Sequence, residues 1–164
     1  MPLNRRQNAL DATDIELLQQ LEIDARLSLA ELGRRVGLSP PSVGDRLQRL
    51  EEDGVIEAYR AEIDPRALGY ELAVILRIRP APRELKKVAE LAQRTPEVVE
   101  CHRITGDDCY LMKAHVRDVE HMEEVIDRFA IYGQTTTSIV QSSPVPRRGL
   151  PLGRTPARTA PTRR

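Results

Sequence analysis

Side chains suited to binding another molecule cluster around a Gly37-Leu38-Ser39 turn in the first third of the 164-residue chain. Hydroxyl groups hydrogen bond to phosphates and to base edges, and guanidinium groups pair with phosphates or with guanine. Backbone N–H groups where Ser28 and Ser39 would begin helices could also bind phosphates. The chemistry that these groups favour is contact with double-stranded DNA. The candidates are Ser28, Ser39, Pro41, Ser42, Asp45, Arg46 and Arg49.

Three short helices are predicted to position these candidates. The first begins at Thr13, which has capping-box spacing with Glu16, and the second begins at Ser28, with Glu31 three residues later. Gly37 ends the second helix, where a left-handed residue is favoured.

The third helix follows at once, with Ser39 as its cap and Pro40 at the first position, where a missing N–H costs nothing. Val43, Leu47 and Leu50 form its inner stripe, which leaves the polar candidates facing outward or flanking. Two helices joined by so tight a turn predict a helix-turn-helix motif. Its second helix, about 40–52, would enter the major groove. A three-helix bundle with merely solvated arginines is the alternative.

Charge does not by itself favour DNA binding by this segment. Residues 1–60 hold eight arginines and no lysine against eleven acidic residues, so binding must rest on a few placed arginines. In contrast, residues 142–164 hold six arginines, five prolines and no acidic residue. This composition predicts a disordered basic tail that could add non-specific phosphate contacts.

A second domain is predicted from the order of its elements. Residues 1–60 form the helix-turn-helix domain, with an alternating strand over Val55–Ile63 that makes it winged, and 61–69 form a linker. Residues 70–141 then read strand, helix, strand, strand, helix, strand, as in a ferredoxin-like βαββαβ sandwich. The predicted fold class is therefore α+β. Strands that are apolar on both faces indicate a partner subunit.

Composition excludes several other classes of protein. Aromatic residues make up 3% of the chain, too few for stacked single-strand binding, and no apolar run is long enough to span a membrane. Without a signal-peptide stretch or a disulfide framework, a cytoplasmic location is expected. Cysteines and histidines near Cys101 and Cys109 lack zinc-site spacing, so neither a metal nor a cofactor is expected, and Cys101 is interpreted as a small core residue. No catalytic motif is present, and an enzyme is not expected.

The two halves together resemble the Lrp/AsnC family of feast/famine regulators over residues 10–141. The resemblance is carried by several short stretches in a fixed order. These are Leu10-Asp11, Asp24-Ala25-Arg26, Gly37-Leu38-Ser39, Gly54-Val55-Ile56, Val99-Glu100-Cys101-His102, Thr105-Gly106-Asp107, Tyr110-Leu111-Met112-Lys113 and Thr135–Val140. It implies a transcriptional regulator that reads a pseudo-palindromic operator as a homodimer, assembled further into tetramers or octamers.

The resemblance also implies an amino acid or related small-molecule effector bound between subunits, near the turn between the two central strands. An acidic side chain would accept from its ammonium group, and hydroxyl and turn N–H groups would donate to its carboxylate. The implied residues are Thr105, Gly106, Asp107, Asp108, Thr135 and Thr137. An ordinary hairpin turn and ordinary strand threonines are the alternatives.

The sequence departs from the family at this site. Asp108-Cys109 stands where the family has an aromatic residue and an aspartate, and Ile131-Tyr132-Gly133 replaces a common Pro-Gly. A different alternative is a decarboxylase of haem biosynthesis, since some such enzymes resemble this family in fold without binding DNA. The arginines of helix 40–52 favour the regulator.

Overall fold

The computed structural model describes residues 10–152, which form two compact units that divide between Ala61 and Glu62. The first unit contains α1 (Ala12–Ile23), α2 (Leu29–Val36) and α3 (Pro40–Glu52), and residues 147–152 group with it. The second contains a 3-10 helix (Pro65–Leu68), β1 (Leu72–Pro80), α4 (Leu85–Arg94), β2 (Val98–Arg103), β3 (Tyr110–Val116), α5 (Val119–Ala130) and β4 (Gly133–Ile139). No helix in the described residues is both long and apolar enough to cross a membrane.

The helical unit is built on one small aliphatic core. Leu17 of α1, Leu32 of α2 and Val43 of α3 are all buried in it, and Leu47 packs against it. Leu50 is buried too. The predicted inner stripe of the third helix is therefore confirmed, and it fixes which side of α3 remains available to a ligand.

The predicted start of the first helix is wrong by two residues. Asp11, not Thr13, is the N-cap, and its carboxylate accepts a hydrogen bond of 2.7 Å from the Asp14 amide. The Asp14 side chain accepts in return from the Asp11 amide at 3.2 Å, which completes a capping box. Glu16, the predicted partner of Thr13, has no such role.

The strand predicted over Val55–Ile63 is also wrong. No strand precedes Leu72 in the described residues, so the helix-turn-helix unit has no wing in this structure. Val55 and Ile63 are exposed, as is Tyr59, whose hydroxyl donates to the Glu51 carboxylate at 2.9 Å. An alternating sequence forms a strand only where another strand satisfies its backbone groups, and residues 10–152 supply none here.

The second unit has the predicted ferredoxin-like arrangement. Its four strands are antiparallel in the order β2-β3-β1-β4, and α4 and α5 cover one face. The covered face is apolar and closely packed. Its fully buried side chains include Leu76, Ile78, Met112, Val116, Val125 and Phe129.

Strand register determines which side chains lie on the open face. Ile75 of β1 is opposite Lys113 of β3 and Ser138 of β4, and Leu111 is opposite Arg77, so this face mixes apolar and charged groups. Cys101 is exposed on the edge strand β2, which corrects its interpretation as a buried core residue.

Candidate functional site

Gly33 of α2 closes the turn between α2 and α3, and any larger residue at this position would force the Leu38 backbone to move. The Leu38 amide donates to the Gly33 carbonyl at 2.9 Å, and a Cβ on Gly33 would overlap the Leu38 carbonyl oxygen. Gly37 ends α2 with φ 70°, in the left-handed region. These contacts set the direction in which α3 leaves the turn.

The first turn of α3 offers no free backbone donors. Pro40 and Pro41 have no N–H, and the Ser42 amide donates to the Ser39 hydroxyl at 3.4 Å. The start of α3 therefore offers a phosphate fewer amides than the sequence predicts behind Ser39. The hydroxyls of Ser39 and Ser42, 2.8 Å apart, remain exposed.

The start of α2 differs in this respect. Ser28 caps it by accepting from the Glu31 amide at 3.2 Å. The amides of Leu29 and Ala30 have no hydrogen bond among the described residues, and both residues are exposed. This end of α2 keeps the donors that a phosphate would need.

The outward surface of α3 contains most of the residues predicted to contact DNA and one further candidate, Gln48, that sequence reasoning missed. Pro41, Ser42, Asp45 and Arg49 are exposed, as is Gln48. Gln48 lies three residues after Asp45 and seven after Pro41, on the same helical face. That spacing was the signal that could have identified it. Its amide group donates to Glu52 at 2.8 Å and can pair with adenine.

Arg46 and Arg49 are held by carboxylates of α1 rather than standing free. Arg46 Nη1 donates to Asp11 Oδ2 at 2.7 Å and to Asp14 Oδ1 at 2.8 Å. Arg49 Nη2 donates to both Asp14 carboxylate oxygens, at 2.7 and 2.8 Å. The hydrogen bond from Arg46 and that from the Asp14 amide lower the pKa of Asp11 from its ordinary value of 3.8.

Asp11, Asp14, Arg46 and Arg49 thus form one acidic–basic cluster, and this pairing limits what the two arginines can bind. Two guanidinium groups and two carboxylates sum to zero charge, so the cluster has no net attraction for phosphate. The Arg49 side chain is 45% exposed, against 28% for Arg46. Each arginine uses one terminal nitrogen, which leaves its other donors without hydrogen bonds among the described residues.

The predicted effector residues of the β2–β3 turn are accessible. Thr105, Gly106 and Asp107 are exposed and Asp108 is partly buried, with Gly106 at φ 112°. The adjacent strand β1 supplies their partners. Arg79 Nε donates to the Asp107 carbonyl at 2.9 Å, and the Asp107 carboxylate lies 3.6 Å from the same guanidinium group.

The other turn carboxylate also has a cationic neighbour. Asp108 lies 3.8 Å from Arg77, on the open face of the sheet. The turn region therefore contains both acceptors for an ammonium group and donors for a carboxylate, the two charged groups of a free amino acid.

Thr135 and Thr137 do not join this group within one subunit. They pair in register with Ile78 and Leu76, whose side chains are buried beneath the helices, so the two threonines share the covered face. The turn carboxylates pair instead with Arg77 and Arg79, which point to the open face, so the threonines and these ion pairs lie on opposite faces of the sheet.

A buried polar cluster that sequence reasoning missed lies at the end of α4. Glu97 accepts from His121 Nε2 at 2.9 Å and lies 3.3 Å from Arg128. The Arg117 amide donates to His121 Nδ1, which leaves the ring proton on Nε2. Burial raises the pKa of Glu97, but the hydrogen bond from His121 and the charge of Arg128 outweigh it, and the pKa lies below the ordinary 4.5.

Comparison with known proteins identifies both units. An AsnC-type helix-turn-helix domain matches residues 10–51, and an Lrp/AsnC ligand binding domain matches residues 73–150. The transcriptional regulator LrpC of Bacillus subtilis (strain 168) is 35% identical over 133 residues, which are 81% of this chain and 92% of that protein. The leucine-responsive regulatory protein of Haemophilus influenzae is 37% identical over 125 residues, 74% of this chain and 75% of that protein.

A solved structure of a transcriptional regulator also matches the chain across both units. The transcriptional regulator from Neisseria meningitidis in complex with L-methionine matches with a TM-score of 0.79 at 30% identity, over 88% of this chain and 97% of that chain. Sequence and structure agree over both units and in the same order. The chain belongs to the Lrp/AsnC family.

Proposed function

We propose that this protein is a sequence-specific DNA-binding transcriptional regulator whose C-terminal domain binds an amino acid or a related small molecule. The observation that carries the first half is the exposed polar surface of α3, positioned by the tight turn after α2. Related proteins are named as regulators, which favours this function over a tetrapyrrole decarboxylase.

Base reading is assigned to the outward side of α3. Ser42, Asp45 and Gln48 present a hydroxyl, an acceptor and an amide along one side, and such groups distinguish base pairs in the major groove. Arg49 keeps free donors for a phosphate or a guanine. Arg46, less exposed and bound by two carboxylates, chiefly positions α3 against α1.

Homo-oligomerisation is assigned to the C-terminal domain. Its open sheet face mixes Ile75 and Leu111 with charged groups, and neither α4 nor α5 covers it. A dimer formed there would place two copies of α3 on one pseudo-palindromic site. Higher assembly to tetramers or octamers remains part of the proposal.

Fluorescence anisotropy with DNA from upstream of its own gene tests the DNA half. A shuffled duplex of equal length serves as the reference at the same salt concentration. Gln48→Ala should reduce the preference for the upstream duplex by about 5–150-fold, equivalent to about 1–3 kcal/mol for a lost bidentate base contact. The matched control is Gln93→Ala, an exposed glutamine of α4. Equal affinity of the full chain for both duplexes would refute sequence-specific reading.

The effector half is tested by isothermal titration with a panel of L-amino acids, including leucine and methionine. One relative is named as leucine-responsive, and another was solved in complex with L-methionine. Asp107→Asn should weaken binding of any amino acid that the wild type binds, since it removes an acceptor for the ammonium group. A wild type that binds no member of the panel would refute amino-acid sensing and leave the DNA half intact.

A further inference from the structure

The middle of the outward side of α3 offers hydrogen-bond acceptors and carries no positive charge. Four exposed residues, which we call the central stripe, lie there within about 60° of one another around the helix axis and opposite the buried Val43: Pro41, Asp45, Gln48 and Glu52. Proline has no N–H, and an ionised carboxylate can only accept. The central stripe is therefore suited to donor groups rather than to phosphates.

Asp45 lacks the ion pair that its position on the helix favours. Arg49 follows it by four residues, the spacing at which opposite charges stabilise a helix. In the structure, Arg49 Nη2 instead donates to the two carboxylate oxygens of Asp14, at 2.7 and 2.8 Å. Asp45 has no hydrogen bond or ion pair from its side chain among the described residues, and it is exposed. Its carboxylate is therefore available to accept from a ligand.

The neighbouring residue of the central stripe is oriented by a hydrogen bond along the helix. Gln48 Nε2 donates to Glu52 Oε1 at 2.8 Å, which leaves the Gln48 carbonyl oxygen and one amide hydrogen for a ligand. Asp45 and Gln48 are separated by about 4.5 Å along the helix axis, since each residue of a helix rises about 1.5 Å. Successive bases of one DNA strand are separated by about 3.4 Å, so the two side chains can contact neighbouring base pairs.

Among the base edges of the major groove, cytosine fits an unpaired carboxylate best. Cytosine presents only an amino donor there, whereas guanine presents two acceptors and thymine presents an acceptor and a methyl group. Adenine also has an amino donor, but the N7 acceptor beside it would repel the second carboxylate oxygen. A carboxylate placed against guanine, thymine or a phosphate loses water without gaining a hydrogen bond, which weakens binding.

We infer that Asp45 determines sequence specificity by selecting a cytosine in each half of the operator. The inference rests on the proposed DNA binding, and it names one base that α3 reads. Asp14 contributes indirectly, because it binds Arg49 and so leaves the Asp45 carboxylate unpaired. The same carboxylate accepts from the correct base and disfavours the others.

The test is selection of binding sites from randomised duplexes by the full chain, followed by anisotropy titrations at one salt concentration. The wild type should select cytosine at one position of each half-site, and guanine or thymine there should weaken binding by about 5–150-fold. Asp45→Asn should select adenine at that position, because an amide pairs with N6 and N7 of adenine. Asp45→Ala should lose the cytosine preference without gaining another. The other positions of the site should stay the same in both variants.

Glu16→Gln is the matched control, since it replaces a carboxylate by an amide at an exposed position of α1. It should select the same site as the wild type, including the cytosine. A selected site that is unchanged in both Asp45 variants would overturn the inference, as would a dependence on Asp45 at a position where the wild type selects another base. Failure of the wild type to enrich any sequence would instead refute the proposed sequence-specific binding. Unfolding midpoints verify that each variant is folded.

Discussion

Replacement of Asp14 by asparagine should destabilise the helix-turn-helix domain more than replacement of any exposed acidic residue. The Asp14 side chain is 3% exposed, yet it is a carboxylate. It accepts hydrogen bonds from Arg46, from Arg49 and from the Asp11 amide. A buried carboxylate is tolerated only with such partners, because its removal from water otherwise costs many kcal/mol.

The magnitude follows from how exposed the partners are. Removing one member of a fully buried ion pair costs about 3–5 kcal/mol, because the other charge is left unpaired. Here the arginines are partly exposed, at 28% and 45%, and can regain water. Asparagine also keeps the size of the side chain and one acceptor. We therefore expect a loss of about 2 kcal/mol, which lowers the unfolding temperature of a small domain by about 8–16 °C.

The assay is thermal and urea unfolding of the full chain followed by circular dichroism, with Asp45→Asn as the matched control. Asp45 is also an aspartate of the helical unit, but it is exposed on α3. A double-mutant cycle with Arg49→Ala isolates the ion pair, and a coupling free energy of about 1 kcal/mol or more is expected. An Asp14→Asn midpoint equal to that of the control, or strictly additive losses in the cycle, would refute the reasoning.

Three further predictions test other parts of the structure. Gly33→Ala should lower the free energy of unfolding by about 2 kcal/mol or more, because the added methyl group overlaps the Leu38 carbonyl. Gly44→Ala is the control: its methyl group makes only an ordinary contact, so it should be neutral or stabilising by up to about 1 kcal/mol. Urea unfolding measures both. Asp11→Asn keeps an N-cap but removes one negative charge from the cluster of Asp11, Asp14, Arg46 and Arg49. Anisotropy titrations should then show tighter binding to any duplex, and the slope of log K against log salt concentration should become steeper by about 0.9. An unchanged slope would contradict this prediction. Because the folded-state pKa of Glu97 is lowered, its stabilising effect exists above pH 4.5 and is lost as the pH falls below it. The difference in unfolding free energy between wild type and Glu97→Gln should therefore be largest near neutral pH, and its persistence at pH 3 would be evidence against this role.

The order and type of the helices and strands were predictable because their apolar residues repeat with clear periods. Val43, Leu47 and Leu50 could lie on one side only of a helix, and they are the inner side of α3. The start of α1 was not predictable, since Asp11 and Thr13 are both good caps with an acidic residue three positions later. The choice between them is made by a long-range contact, the pairing of Asp14 with the arginines of α3.

The candidate sites were harder to predict than the fold for a related reason. Whether Thr135 and Thr137 lie on the open or the covered face depends on their register with β1, and a register offset of one residue reverses the answer. The Val55–Ile63 segment has strand spacing but no partner strand in the part of the chain that the structure describes. Local patterns specify the conformation that a segment prefers, whereas its neighbours decide whether that conformation forms.

Specificity and affinity for DNA should therefore be separable in this protein by mutation. The arginines of α3 are neutralised by Asp11 and Asp14, so the helix proposed to read bases contributes little net charge to binding. The positive charge is concentrated in the predicted basic tail, residues 142–164, whose Arg147 and Arg148 are free of ion pairs among the described residues. Substitutions on the outer side of α3, such as Gln48→Ala, should change the ratio of affinities for two duplexes and leave the salt dependence unaltered. Substitutions of the arginines in that predicted tail should do the reverse, because phosphate contacts carry no sequence information.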